Sequence, residues 1–150
     1  SVASDLLGLN DSIVPRPDTE KAVVIFDAIL HAIGEGIIVS CHDLSEGGLA
    51  AAAAEMVIGA DGLGVEIDSA LIPANEKMSC ISALFSEAPT RFLAEVAPQN
   101  LERFNEIMRG TQWATVGQVT ATAQLELKHD SATILTASRS TLATANQVPA

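Results

Sequence analysis

Aromatic residues are nearly missing from this sequence of 150 residues, which contains four Phe, one Trp and no Tyr. The core must therefore be aliphatic, and the 48% share of hydrophobic residues excludes a disordered chain. A chain of this length fits one domain and buries about 68–70% of its unfolded surface. We therefore predict a single domain over residues 1–150 that needs no disulfide or metal to fold.

Basic residues are also few, because eight Lys and Arg stand against nineteen Asp and Glu and give a net charge of -11. Such a surface repels phosphate backbones and anionic lipids, so neither nucleic acid nor a membrane is expected as a partner. No apolar run approaches the roughly 18 residues that span a bilayer. Cys41 and Cys80 lack the CxxC spacing of a zinc site, and we expect two reduced, mostly buried thiols in a cytoplasmic protein.

Apolar periodicity and turn residues predict alternating helices and strands. A helix is expected over residues 18–33, with Asp18 as N-cap and Gly34 just beyond its end. A buried strand at 37–41 and an alanine-rich helix at 49–58 enclose a polar, glycine-rich loop at 42–48. Further strands are expected at 63–67, 83–85, 91–96, 115–119, 123–127 and 132–136, and a helix at 98–110. Residues 71–81 are open between a turn at Pro73 and a short helix at 75–81. The chain ends in a terminal helix or a frayed tail from residue 138 to 150. This order predicts an α+β fold with a mixed β-sheet packed with helices.

The loop at 42–48 is the most informative stretch, because it joins the end of a buried strand to a helix. Ligands bind at such strand ends, so His42, Asp43, Ser45, Gly47 and Gly48 are candidates for a loop that contacts phosphate or the edge of a ligand. Carboxylates accept a phosphate only through a bridging cation, which makes Asp43 a candidate Mg²⁺ ligand. The alternative, which the residues alone favour, is a helix capped by Ser45 or Asp43.

A second polar cluster, Ser86 and Glu87, is a candidate for contacting a hydroxyl or amide of a ligand in a cleft. The alternative is a tight turn at Pro89 in which Arg91 pairs with Glu87. A catalytic dyad of Cys41 and His42 is not expected, since adjacent strand residues point to opposite faces.

The two clusters resemble a known family. Residues 42–50, His-Asp-Leu-Ser-Glu-Gly-Gly-Leu-Ala, are similar to the signature of the last domain of formylglycinamide ribonucleotide amidotransferases, also called phosphoribosylformylglycinamidine synthases. In the following helix, Glu55-Met56 matches that signature as well. Residues 85–91 resemble the Phe-Ser-Glu-x-x-x-Arg segment of the same family. The resemblance extends over about residues 1–118.

The resemblance implies a fold similar to the C-terminal domain of aminoimidazole ribonucleotide synthetase, within a longer ATP-dependent carbon–nitrogen ligase. Such enzymes convert formylglycinamide ribonucleotide to the amidine in purine biosynthesis, with ATP, Mg²⁺ and ammonia from a glutaminase subunit. Upstream ATP-binding domains of the same synthetase would hold most of the ATP and Mg²⁺ ligands. No residue of this chain, His42 included, is then expected to be catalytic, and the chain alone is expected to be inactive.

Internal analogy within that family implies that Asp43 approaches Mg²⁺ or phosphate, and that Ser86 and Glu87 face the ligand cleft. A purely structural role for the loop, against a neighbouring ATP domain, stays open. Two other functions also stay open: a stand-alone binding or oligomerisation module of the same fold, and a domain of a related ATP-dependent enzyme. A domain of a longer protein should expose a sizeable apolar patch, which distinguishes it from a stand-alone module.

Overall fold

The computed structural model of the chain describes residues 18–74 and 78–147. The segment before residue 18, which supplies the start of the family resemblance, lies outside the described residues. The first part of the alternative helix at 75–81 and the end of the chain after Gln147 lie outside them as well.

The first helix, α1, spans Thr19–Gly34 and confirms the helix predicted from apolar periodicity. Asp18 is its N-cap, and the Asp18 carboxylate accepts the backbone N–H of Lys21 at 3.2 Å. The predicted end, at residue 33, is one residue short, and the glycine just beyond the helix is two residues later than predicted. Gly34 is still helical, and Gly36 is the residue that takes the left-handed backbone, at φ +69°.

Strand β1 (Ile38–Asp43) and helix α2 (Gly48–Gly59) begin within one residue of their predicted starts. The other elements are β2 (Gly64–Asp68), a 3₁₀ turn (Ser69–Leu71), α3 (Cys80–Phe85), β3 (Phe92–Val96), a second 3₁₀ turn (Pro98–Asn100), α4 (Leu101–Ile107), β4 (Gly117–Thr120), β5 (Gln124–His129), β6 (Ala132–Ser138) and α5 (Arg139–Asn146).

The structure corrects the prediction for one segment and decides between two alternatives for another. Residues 83–85, predicted as a strand, complete α3, because Ser79 caps that helix by accepting the Ser82 N–H at 3.1 Å. Of the two alternatives for the C-terminal segment, the helix is the one observed over Arg139–Asn146. Its N-cap, Ser138, accepts the Thr141 N–H at 3.2 Å.

The strands of the described residues form two sheets. β1 and β3 pair antiparallel, and β4, β2, β5 and β6 lie in that order in a second sheet. Within the second sheet, β2 is parallel to β5 and antiparallel to β4. The predicted α+β fold with a mixed sheet is therefore confirmed. β4 and β5 follow each other in the chain but do not pair, because β2 lies between them.

Two apolar clusters form the core within residues 18–74 and 78–147. One lies between α2 and the four-stranded sheet, where Val57, Ile67 and Leu125 are fully buried. The other packs α1 against α4 and the two-stranded sheet. There the rings of Phe104 and Trp113 meet edge to face, with their centroids 5.1 Å apart.

One side of α1 carries large apolar residues that the described structure leaves exposed. Val23, Phe26, Leu30 and Ile33 recur at helical spacing and are between 47% and 65% exposed. We call these four residues the α1 stripe. The opposite side of the helix, with Ala28 and Ala32, is buried in the second core cluster.

The cysteines are less buried than the sequence predicted. Cys41 is exposed, because it lies on the outward-facing side of the alternating strand β1, and Cys80 is half-buried. Within the two described ranges, no helix is both long and apolar enough to cross a membrane.

Candidate functional site

The candidate loop is shorter than predicted, because His42 and Asp43 belong to the end of β1. Side chains alternate along this strand, so the His42 ring is half-buried while Asp43 is exposed. Leu44 then turns into the core as its backbone N–H donates to the carbonyl of Arg91 at 2.9 Å. Asp43 and Ser45 are therefore exposed on either side of the buried Leu44.

Ser45 does not cap α2, and neither does Asp43, so the capped-helix interpretation is wrong in its detail. The Ser45 hydroxyl instead donates to the Asp43 carboxylate, and this hydrogen bond lowers the pKa of Asp43. The N-cap position belongs to Gly47, whose backbone is left-handed at φ +77° and which has no side chain to offer.

The cap comes from the second cluster. The Glu87 carboxylate accepts the backbone N–H of Gly47 at 3.2 Å, so the two predicted clusters are adjacent in space. A carboxylate at this point is favoured by the dipole of α2. It also occupies one of the N–H groups that a ligand phosphate would use.

Gly48 packs directly against the backbone at the end of α3, next to the second cluster. Its backbone is left-handed, at φ +61°, and a Cβ atom there would lie 2.8 Å from the Ser86 carbonyl oxygen and 2.9 Å from that of Leu84. Only glycine allows α2 to begin this close to the end of α3. Gly48 therefore has a backbone role at this junction, where the end of α3 is its neighbour.

Arg91 does not pair with Glu87 as the turn interpretation predicted. Its Nη1 donates to the Ser86 carbonyl at 3.2 Å, and burial lowers the pKa of this guanidinium. Arg91 thus fixes the backbone of Ser86 and leaves the Glu87 carboxylate free to reach Gly47.

Glu55 contacts the candidate loop through His42, a contact that the sequence did not predict. Its Oε2 lies 2.7 Å from Nε2 of His42, whose Nδ1 is 2.7 Å from the Asp43 carbonyl oxygen. Both ring nitrogens of His42 are thus engaged by groups other than Cys41. The available signal was composition, since Glu55 is the single charged residue of the otherwise apolar helix α2.

The Cys41 thiol is not activated. Partial burial raises its pKa, and the negative charge of Asp43 raises it further. A raised pKa keeps the sulfur protonated near neutral pH.

The loop offers few side chains that could bind a metal ion. The described residues contain no group of three His, Cys, Asp or Glu side chains arranged to hold a metal ion. Mg²⁺ commonly uses one or two carboxylates and completes its shell with water and substrate phosphates, and the exposed carboxylate of Asp43 fits that limited role. With Glu46, Glu55 and Glu87 nearby, a bare phosphate would be repelled unless a cation accompanied it.

Comparison with known proteins identifies the family of the chain. Residues 3–130 match the family described as "AIR synthase related protein, C-terminal domain". The chain belongs to this family. This AIR synthase-related C-terminal domain is 35% identical over 130 residues to the phosphoribosylformylglycinamidine synthase subunit PurL of Thermococcus sibiricus, a match covering 87% of the chain and 18% of that protein.

Solved structures show the same fold. The domain is similar to T. maritima PurL complexed with ADP, with 26% identity, a TM-score of 0.75 and coverage of 89% of this chain and 23% of that one. It is also similar to PurLQS from Thermotoga maritima, with 24% identity, a TM-score of 0.78 and coverage of 91% and 24%. The chain thus spans less than a quarter of the length of each of these relatives.

Proposed function

We propose that this chain is the C-terminal domain of an ATP-dependent ligase that converts formylglycinamide ribonucleotide to the amidine in purine biosynthesis. The observation that carries the proposal is the 35% identity to PurL over 130 residues, across the whole candidate site. The adjacency of the two clusters, through the Glu87–Gly47 hydrogen bond, supports it, because the resemblance requires both on one cleft.

The loop forms one wall of the nucleotide cleft in this proposal. Asp43 approaches Mg²⁺, which neutralises phosphate charge when it is bound, and Ser86 and Glu87 border the cleft. His42, Ser45, Gly47 and Gly48 hold the wall in shape. ATP and Mg²⁺ are bound mainly by parts of the synthetase outside this chain, and PurL solved with ADP supports nucleotide binding in such enzymes.

The partners follow from the same proposal. They are the upstream ATP-binding domains of the synthetase, the substrate formylglycinamide ribonucleotide, and a glutaminase subunit that supplies ammonia, all in the cytoplasm. The apolar α1 stripe supports a domain that packs against more protein, since monomeric proteins rarely leave such a patch uncovered.

The test uses the complete product of the gene that contains this sequence. It is supplied with formylglycinamide ribonucleotide, ATP, Mg²⁺ and ammonium, and amidine and ADP are measured. We expect both products in equal amounts, and no amidine from the 150-residue chain alone. A wild-type protein that forms no amidine would refute the ligase.

The Asp43 role has its own test in the same assay. Asp43→Asn is expected to lower turnover and to raise the Mg²⁺ concentration needed for half-maximal rate. Asp61→Asn, which removes an exposed carboxylate from the loop after α2, serves as the matched control. Equal magnesium dependence in the two variants would remove Asp43 from the site and leave the ligase assignment standing.

A further inference from the structure

The ring of His42 is held at both of its nitrogen atoms. Nε2 lies 2.7 Å from Oε2 of Glu55, and Nδ1 lies 2.7 Å from the carbonyl oxygen of Asp43. A carbonyl oxygen can only accept a hydrogen bond, so Nδ1 is the donor to Asp43. A ring that is bound at both nitrogens cannot turn without losing a contact, and its orientation is therefore fixed.

The Asp43 carbonyl is available for this bond because it points away from the neighbouring strand. Leu44 donates its N–H to the carbonyl of Arg91, just before β3. Residues that bond across an antiparallel pair alternate along each strand, so Asp43, one residue earlier, turns its own N–H and C=O away from β3. The His42 ring binds this outward-facing carbonyl.

The same edge of the ring also faces the Asp43 carboxylate. Oδ1 of Asp43 lies 3.7 Å from Nδ1 of His42, while the other oxygen, Oδ2, accepts the Ser45 hydroxyl. The carboxylate is thus flanked on two sides, yet its side chain is still 63% exposed and open to a ligand from solvent. His42 therefore orients both the main chain and the side chain of Asp43.

Glu55 connects this arrangement to a firmly packed part of the molecule. It lies on α2, where its neighbours Ala53 and Val57 are fully buried in the core cluster against the four-stranded sheet. A side chain on a packed helix is placed more precisely than one on a loop. The position of α2 therefore sets the His42 ring through Glu55, and the ring sets Asp43.

We propose that Glu55 is a positioning residue for Asp43, which acts through His42 to hold the Asp43 carboxylate in the orientation that takes a magnesium ion. The inference rests on the Mg²⁺ role proposed for Asp43. Groups that orient a metal ligand from behind commonly change the metal affinity about 10- to 100-fold when they are removed. Glu55 should therefore affect metal binding without touching the metal.

Titration of the 150-residue chain with Mn²⁺, followed by nuclear magnetic resonance, tests the inference. Mn²⁺ takes the same oxygen ligands as Mg²⁺, and its unpaired electrons broaden the amide signals nearest to it. We expect the Asp43 and Leu44 amides to broaden before those around Asp61, an exposed carboxylate outside the site. Asp43→Asn should abolish this difference. Glu55→Ala should raise the Mn²⁺ concentration for half-broadening at Asp43 about 10-fold.

Glu55→Gln is the matched control. It removes the same charge as Glu55→Ala but keeps an amide that can still bond Nε2 of His42, so it should titrate close to wild type. Both variants should fold, because Glu55 is half-exposed and alanine is the strongest helix former. Adding Glu55→Ala to Asp43→Asn should change nothing further at the site.

The complete gene product gives a second measurement. Glu55→Ala should raise the Mg²⁺ concentration for half-maximal rate by the same factor, and excess Mg²⁺ should restore turnover. A merely structural role would lower turnover at every Mg²⁺ concentration.

The inference is overturned if Glu55→Ala titrates like wild type, or if Glu55→Gln shifts as far as Glu55→Ala, since charge would then be the cause. Turnover that excess Mg²⁺ does not restore would also overturn it. A wild-type chain without selective broadening at Asp43 would remove the Asp43 role and this inference with it. Amidine formation by the wild-type gene product decides the ligase separately.

Discussion

The Glu87 carboxylate lies 3.2 Å from the backbone nitrogen of Gly47, across forty residues of sequence. This bond joins the segment after α3 to the beginning of α2. It gives α2 a cap from outside its own sequence, because Gly47 cannot cap the helix with a side chain.

Removing the Glu87 carboxylate should loosen this junction. Glu87→Ala is expected to lower the free energy of unfolding by about 1–2 kcal/mol, because a part-buried N–H loses its acceptor. Glu87→Gln keeps an acceptor oxygen and should lose less. Urea unfolding measures both, with Glu102→Ala on the exposed side of α4 as the control. Equal stability of Glu87→Ala and Glu102→Ala would show that the bond contributes nothing.

Gly48 and Gly59, at the two ends of α2, make a matched pair. Gly48→Ala should cost about 3 kcal/mol or more, because it combines a left-handed backbone with Cβ contacts near 2.8 Å to the end of α3. Gly59→Ala meets no atom within 4 Å and should stabilise the protein by about 0.5 kcal/mol through the unfolded state. Thermal unfolding of the two variants checks this, and similar melting temperatures would contradict it.

The contact between α1 and α4 should weaken in acid. Hydrogen bonds from Arg103 hold the pKa of Glu35 at about 2, against an ordinary value of 4.5. Because the folded-state pKa is lowered, the stabilisation is complete above pH 4.5 and is lost as the pH falls toward 2.

Glu35→Gln should therefore flatten the fall in stability between pH 4.5 and 2. The size of the effect is limited, because the pair is exposed and screened by solvent. Glu20→Gln, which removes an exposed carboxylate at the other end of α1, should leave the wild-type slope unchanged. Parallel acid-unfolding curves for wild type and Glu35→Gln would count against the Arg103 bond.

The Cys41 thiol should react slowly for an exposed cysteine. Burial and the charge of Asp43 raise its pKa, so less thiolate is present at neutral pH. Asp43→Asn should speed its reaction with a thiol reagent near pH 8, whereas Asp130→Asn, far along the chain, should not. Reaction rates measured in a Cys80→Ser background assign the signal to Cys41. Identical rates in Asp43→Asn and wild type would show that the Asp43 charge does not reach the sulfur.

Local signals predicted most elements of this fold. Asp18 before a periodic apolar run predicts α1, and the glycine pair before a run of alanines predicts the start of α2. The α+β class followed from the order of these elements. Residues 83–85 were mistaken for a strand because a short apolar run fits either structure, and the Ser79 cap decided it.

The contacts that build the site depend on distant residues. Ser86 and Glu87 were predicted as a cluster, but only the packing of α3 against Gly48 brings Glu87 to Gly47. Arg91 is close to Glu87 in sequence and still turns to the Ser86 carbonyl. Local sequence spacing predicts neither the Glu87–Gly47 contact nor the Arg91–Ser86 contact. Both depend on how the helices and strands pack in the core.

The parallel pairing of β2 and β5 delays formation of the four-stranded sheet during synthesis. Val65 lies beside Leu125, so the centre of the four-stranded sheet cannot form until about sixty further residues have been synthesised. Contacts of this sequence separation slow folding, since a long loop must close before they stabilise anything. The intervening segment contains Glu87, so α2 is synthesised before the residue that caps it. The core between α2 and the four-stranded sheet forms later still, after β5 has been synthesised.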